Sequence, residues 1–249
     1  MSVSRDIVLI TGASSDIGLA LIRRLAAAPE AHIILAHGHS GIARLAALRD
    51  ALPAAAIHPF EADFRSEASV AGLGEDISRQ FGAPTQIVHI PALKLAYERF
   101  SKFAWDHFEA DLHIQLRSAV ILLRRFLPPM ARMPGARVVF LLSSVTRGVP
   151  PKFMSMYTVI KHAQLGLMRA LASEYADTGL CVNAVSPGMV DTQFLDNVPE
   201  LVKEMSASAS PRRRNAKPDE VVDAIEFLLS PKASYITGIE IPVTGGAAY

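Results

Sequence analysis

Residues Ile7-Val8-Leu9-Ile10-Thr11-Gly12-Ala13-Ser14-Ser15-Asp16-Ile17-Gly18 decide how the rest of the chain is read. A β-branched apolar run stops at a glycine, a few small residues follow, and a helical period sets in from Asp16. A strand-to-helix turn this tight aims backbone N–H groups and a helix N-terminus at an anion such as a pyrophosphate. Gly12 permits the turn and Gly18 lets the helix approach the sheet. The same residues also suit a tight connection that binds nothing, so the remainder of the chain must decide.

Outward from that turn, short β-rich runs alternate with longer helical segments. Strands are predicted at 7–11, 32–36, 56–60, 86–90, 137–142, 180–186 and 240–243, and helices at 16–28, 41–52, 66–81, 105–133, 155–178 and 218–229. In the last helix Val221, Val222, Ile225, Leu228 and Leu229 make one apolar face. Val138-Val139-Phe140-Leu141-Leu142 is apolar without alternation, as in strands covered on both sides. The pattern predicts an α/β fold, a doubly wound parallel sheet of about seven strands with helices on both faces. No repeat or linker divides residues 1–249, which read as a single domain. The segment 191–217, with the run Arg212-Arg213-Arg214, shows no regularity and is expected to be a mobile excursion.

Composition narrows the function classes. Lys plus Arg number 25 and Asp plus Glu 24, a net charge of +1 that gives no global field for nucleic acid or an anionic membrane. Cys181 is the only cysteine, so no intrachain disulfide forms and a reducing compartment fits. No apolar stretch reaches about 18 residues. Met1-Ser2-Val3-Ser4 runs straight into the first strand without a signal peptide, and a cytoplasmic protein is expected.

The chemistry is read from Ser143-Ser144, Tyr157 and Lys161. Tyr157 and Lys161 stand four apart on one helix face. An ammonium beside a phenol favours the phenolate and would bring its pKa from near 10 toward neutrality, making a usable acid or base. Ser144, thirteen residues before Tyr157 at the end of the fifth strand, is placed to hydrogen-bond a carbonyl oxygen.

A lone Tyr-x-x-x-Lys is weak, but its company is not. The glycine turn, the serine, the Tyr157–Lys161 pair, Val182-Asn183-Ala184-Val185-Ser186-Pro187-Gly188 with Thr192, Tyr235-Ile236-Thr237-Gly238 and Gly245-Gly246 come in one order. From end to end this succession resembles the single-domain short-chain dehydrogenase/reductase superfamily, with its Rossmann-like sheet. The resemblance implies hydride transfer between a nicotinamide cofactor and a carbonyl or alcohol carbon. It implies that Ser144 polarises the carbonyl, that Tyr157 is the general acid, and that Lys161 tunes Tyr157 and holds the nicotinamide ribose. The cofactor contacts it implies are Thr11, Gly12, Ser14, Ser15, Asp16, Ile17 and Gly18, then His37, Asp63 and Phe64, then Ile90 and Pro91. Tyr157, Lys161, Pro187, Gly188, Val190 and Thr192 complete them. Asp63 would meet the adenine, cap the following helix, or both.

Three departures qualify the resemblance. Asp16 replaces the middle glycine of T-G-x-x-x-G-x-G and brings a charge close to the phosphates. His89-Ile90-Pro91-Ala92 replaces N-N-A-G, where Pro91 removes a donor and Ala92 adds a methyl group. Gln115 takes the place of the helix asparagine of the catalytic tetrad, with His113 as a poorer substitute.

Ala36-His37-Gly38-His39-Ser40 has no carboxylate to repel a 2′-phosphate, which favours NADPH over NADH, although the expected arginine is missing too. No third ligand accompanies His37 and His39, so no metal site is read there; they are solvent-exposed or phosphate-adjacent histidines. Met189, Phe194, Leu195, Val198, Leu201 and Met205 would make an apolar lid. Met154 and Met156 flank Tyr157, as adaptable contacts or ordinary packing. Arg124, Arg125, Arg132 and 212–214 would offer a basic rim to a carrier protein or phosphopantetheine, or are merely solvated. The leading expectation is an NADPH-dependent ketoreductase of a 3-oxoacyl thioester, as in fatty-acid or polyketide assembly. A secondary-alcohol dehydrogenase and a catalytically silent binding or scaffold protein stand beside it. Residues 238–249 resemble the family's interface strand and imply a homotetramer or homodimer.

Overall fold

Seven parallel strands form one sheet in the order β3-β2-β1-β4-β5-β6-β7. They are β1 (Asp6–Thr11), β2 (His32–Gly38), β3 (Ala56–Glu61), β4 (Gln86–His89), β5 (Arg137–Leu141), β6 (Cys181–Pro187) and β7 (Glu240–Val243). This computed structural model describes residues 5–28 and 30–247. The expectation on Met1 to Ser4, and the end of the 238–249 segment at Ala248 and Tyr249, lie outside the described residues. No helix among the described residues is long and apolar enough to cross a membrane.

The apolar strands owe their composition to burial on two sides. Val8, Ile10, Ile34, Val88 and Val139 pack on one face against α1 (Asp16–Ala26), α2 (Ile42–Ala51) and α8 (Pro218–Leu229). Their alternates Leu9, Leu35, Ile87, Val138 and Phe140 pack on the other against α3 (Glu67–Phe81), α5 (Ser118–Met130) and α6 (Ser155–Glu174). The strand order reverses between β1 and β4, and at that switch point a crevice opens beyond the strands' C-terminal ends.

Two expected elements come out differently. The helix expected over 105–133 is divided into α4 (Trp105–Leu112), a π turn (His113–Arg117) and α5. Ser118 N–H reaches back five residues to His113 O, a bulge that hydropathy period cannot show. The irregular 191–217 segment contains a helix, α7 (Glu200–Ala209), which carries no fully buried residue and so leaves a weak pattern. A further cluster of Leu95, Leu195 and Val198, packed with Tyr97, Met154, Tyr157, Met189, Phe194 and Val202, joins this segment to the crevice.

Candidate active site

The crevice is a cleft of about 770 Å³. The β1–α1 turn supplies Gly12, Ser14, Ser15, Asp16 and Ile17 to its wall, and the ends of β2 and β3 supply His37, Asp63 and Phe64. Ile90 and Pro91 follow from β4, Ser143 and Ser144 from β5, Tyr157 and Lys161 from α6, and Pro187, Gly188, Val190 and Thr192 from β6. Thr11, Gly18 and Gln115 stand behind the wall. Thr11 is fully buried and its hydroxyl bonds Nδ1 of His89 at 2.8 Å. Gln115 is fully buried too, and its carbonyl, freed by the π turn, accepts from Nε2 of His89 (2.7 Å) and of Gln164 (2.9 Å). A carbonyl only accepts, so His89 carries its proton on Nε2, and burial pulls its pKa down to about 3.

Gly12 adopts φ +72°, and a Cβ there would lie 2.7 Å from the backbone of Pro91. The turn therefore needs a glycine for both its conformation and its contact. Ser15 caps α1, its Oγ accepting Gly18 N–H at 3.1 Å. The first two amides of α1, Asp16 and Ile17, have no intrahelical carbonyl to bond.

Asp16 does not present a bare charge. Its Oδ1 pairs with Arg44 at 2.7 Å and its Oδ2 accepts Gln193 N–H at 2.8 Å. Burial raises its pKa, but Arg44 and the Gln193 amide outweigh that and leave the carboxyl below its usual value. Arg44, from α2, also donates to Ser14 O at 2.8 Å and to Gln193 Oε1 at 3.3 Å. Arg44, in the first turn of α2, lines the same end of the cleft as the end of β2.

His37 is not an exposed phosphate partner. It is 3% exposed, lies 3.8 Å from the Phe64 ring in a parallel stack, accepts Gly12 N–H on Nδ1 and donates from Nε2 to Ala62 O. Burial holds it neutral, with a pKa of about 4. Asp63 is gripped by Arg65, which takes its pKa to about 2.

At the other end of the cleft Ser143 and Ser144 both line the wall with Tyr157, and the Ser143 side chain favours the ionised form of the tyrosine hydroxyl. Ser143 continues the extended backbone of β5, whereas Ser144 opens a short 3₁₀ turn and faces the cleft from it. Lys161 Nζ lies 5.6 Å from the Tyr157 ring centroid and donates to Leu141 O (2.8 Å) and Gln164 Oε1 (3.1 Å). The expected acid phenol is therefore absent from the free chain. Enclosure of the hydroxyl end raises the Tyr157 pKa above its ordinary value, Ser143 opposes that, and the Asp111 carboxylate adds to it. Burial brings Lys161 down to about 8, against the pull of Asp111.

A family model described as enoyl-(acyl carrier protein) reductase matches residues 12–248. The chain is a short-chain dehydrogenase/reductase. It is 33% identical over 96% of its length to cis-4-hydroxycyclohexanecarboxylate dehydrogenase of Sinomonas cyclohexanicum, covering 95% of that protein. It is 30% identical to acetoacetyl-CoA reductase of Allochromatium vinosum, over 96% of this chain and 97% of that one. It superposes with a TM-score of 0.83, at 25% identity, on an NADPH-bound short-chain oxidoreductase of Pseudomonas aeruginosa PAO1 that has an atypical catalytic center, covering 97% and 96% of the two chains. Family membership makes it an NAD(P)-dependent oxidoreductase of alcohol and ketone groups.

The cleft of this short-chain dehydrogenase/reductase suits such a cofactor. Its volume lies within the range of ligand pockets, two unpaired helix amides stand on its wall, and Asp16 is neutralised by Arg44. Several peripheral expectations need revising. Leu201 and Met205 are 66% and 62% exposed and do not cover the site. None of Arg124, Arg125, Arg132 and 212–214 lines the cleft, and Arg125 and Arg214 are paired with Glu75 and Glu220. Sequence reading named Ser143 beside Ser144 without giving it a role, and it missed Arg44, Gln164 and Asp111. Only Asp111 left a local signal, four residues before Gln115 on a helix face.

Proposed function

We propose that the chain reduces a ketone to a secondary alcohol with NADPH. The protonated Tyr157 hydroxyl, set beside Ser143 at the mouth of an apolar chamber, carries this reading. When bound, the cofactor would supply the hydride. The α1 amides, with Ser14 and Ser15, would hold its phosphates, and Pro187, Gly188, Val190 and Thr192 would face its nicotinamide. Tyr157 would give its proton to the substrate oxygen, with Ser143 and Ser144 as hydrogen-bond donors to that oxygen. Lys161 would hold positive charge behind the phenol as it loses that proton.

Reduction needs Tyr157 in its protonated form, which is the form the free chain holds at neutral pH, and the Lys161 charge beside it is what would let that proton go. Arg44 and Arg65 on the adenosine side of the cleft support NADPH over NADH. Leu95, Leu195, Val198, Met154, Met189 and Phe194 around Tyr157 support an apolar substrate. With the acetoacetyl-CoA reductase relative, they favour a 3-oxoacyl thioester, while the hydroxycyclohexanecarboxylate dehydrogenase relative keeps a cyclic ketone as the second substrate to try. A homotetramer or homodimer is expected, with β7 at the open sheet edge and Ile239 and Tyr235 exposed beside it.

The test follows NADPH absorbance with an acetoacetyl thioester and with a cyclohexanone carboxylate. Replacing tyrosine in Tyr157→Phe should lower kcat by roughly 10²–10⁴-fold and leave NADPH fluorescence enhancement intact. Full activity in that variant removes the assigned acid, and no NADPH binding by the parent chain leaves a silent scaffold.

A further inference from the structure

One buried carboxylate has no place in the scheme above. Asp111 is 7% exposed and lies near the end of α4, one turn before Gln115. Its Oδ1 accepts Leu93 N–H at 2.9 Å and its Oδ2 accepts Nε2 of Gln115 at 2.7 Å. Leu93 belongs to the segment after β4 that walls the cleft. The Gln115 carbonyl accepts from Gln164, whose Oε1 accepts from Lys161. A run of short contacts thus leads from Asp111 to the lysine behind the phenol.

Charge makes the link stronger. A carboxylate removed from water is costly unless an opposite charge compensates it. The cations facing Asp111 are Lys161 from α6 and, when protonated, His107 from α4. Lys161 is 2% exposed, and both oxygens that it bonds are neutral. The other titratable groups around the pair are Tyr157 on α6 and His89 on β4, which burial keeps neutral.

Resting on the reading of Lys161 and Tyr157 given above, we propose that Asp111 is a positioning residue that ties the β4–α4 connection to Gln115 and keeps the Lys161 ammonium charged. Burial already draws Lys161 down to about 8 and Asp111 works against that fall, so losing the carboxylate charge lowers the pH at which the ammonium disappears.

Asp111→Asn separates charge from contact. The amide keeps the aspartate's shape, and Gln115 Oε1, buried without a partner, accepts from the new amide once the Gln115 side chain flips. The experiment titrates Lys161 by 13Cε and 15Nζ NMR in the cofactor-free protein, beside kcat for ketone reduction as a function of pH. In the variant the Lys161 curve moves to lower pH, and the loss of kcat between about pH 7 and about pH 9 grows roughly threefold or more, with KM little changed. Superimposable Lys161 curves overturn the proposal. So does an equal fall of kcat at every pH, which is what a purely structural tie gives. If the variant does not fold, the parent chain decides: its Asp111 carboxyl and Lys161 ammonium must share an inflection, and independent curves overturn the idea. The NMR arm needs no turnover, so it is read separately from any failure of the proposed ketone reduction.

Discussion

Position 18 tolerates only a hydrogen. A Cβ there would sit 2.5 Å from Ala13 O and 2.6 Å from Ala13 Cα, and neither backbone atom yields as a side-chain tip does. Gly18→Ala should therefore destabilise the fold by about 1–3 kcal/mol, read as a lower urea midpoint, even though alanine is the better helix former. This glycine was legible because its constraint is local, fixed by the tightness of one turn. The Tyr157–Lys161 pair was legible for the same reason, being set by helix spacing alone. The choice between Ser143 and Ser144 was not, since it depends on where β5 ends and the 3₁₀ turn begins, a matter of one peptide. The charge state of Tyr157 was less legible still. Spacing brings the ammonium near the ring, but Leu141 O and Gln164 Oε1 take its hydrogens, and neither partner can be named from a Tyr-x-x-x-Lys pattern.

At the level of elements, what positions the site is a set of ties between segments distant in sequence. Glu240 on β7 is the clearest. Its side chain is 4% exposed, accepts from the Ser186 hydroxyl of β6 and the Thr146 hydroxyl of the turn after β5, and pairs with Arg147 at 3.5 Å. One carboxylate thus fastens the loop that carries Ser143 and Ser144 to the far side of the sheet. Glu240→Ala leaves the Ser186 hydroxyl and the Arg147 guanidinium without this acceptor, while Thr146 keeps only its bond to Ser143 O. It should cost about 1–3 kcal/mol of stability and lower kcat more than it raises KM, checked by unfolding and steady-state kinetics together. The strands were legible because burial on both faces writes itself as unbroken apolar runs. The π turn at His113–Arg117 was not, because one extra residue within a helix leaves the apolar period over 105–133 nearly unchanged. α7 was hidden by the opposite cause, having almost no inward face to reveal it.

Across the whole molecule, two neutral histidines set the response to acid. His89 and His37 hold pKa values of about 3 and about 4, well below the ordinary 6.5, because burial excludes the charged ring. Between those values and about 6.5 the unfolded chain binds more protons than the folded one, so stability rises with pH through that window and is lost as pH falls. At roughly 1.4 kcal/mol per unit, the two together withdraw on the order of 5 kcal/mol by about pH 4. Equilibrium unfolding from about pH 7 to about pH 4 should show this slope, and a flat profile would contradict the burial of both rings.

The Asp16, Arg44 and Gln193 contacts have a bearing on traffic through the molecule. They tie α1 and α2 to the turn that follows Thr192, so a dinucleotide seated as proposed would enter or leave past an ionic fastening. Exchange of NADPH should then quicken as ionic strength weakens that fastening, even where the equilibrium affinity itself drops. Stopped-flow fluorescence across a salt series would read it as a rising dissociation rate, and Arg44→Met should show fast release already at low salt.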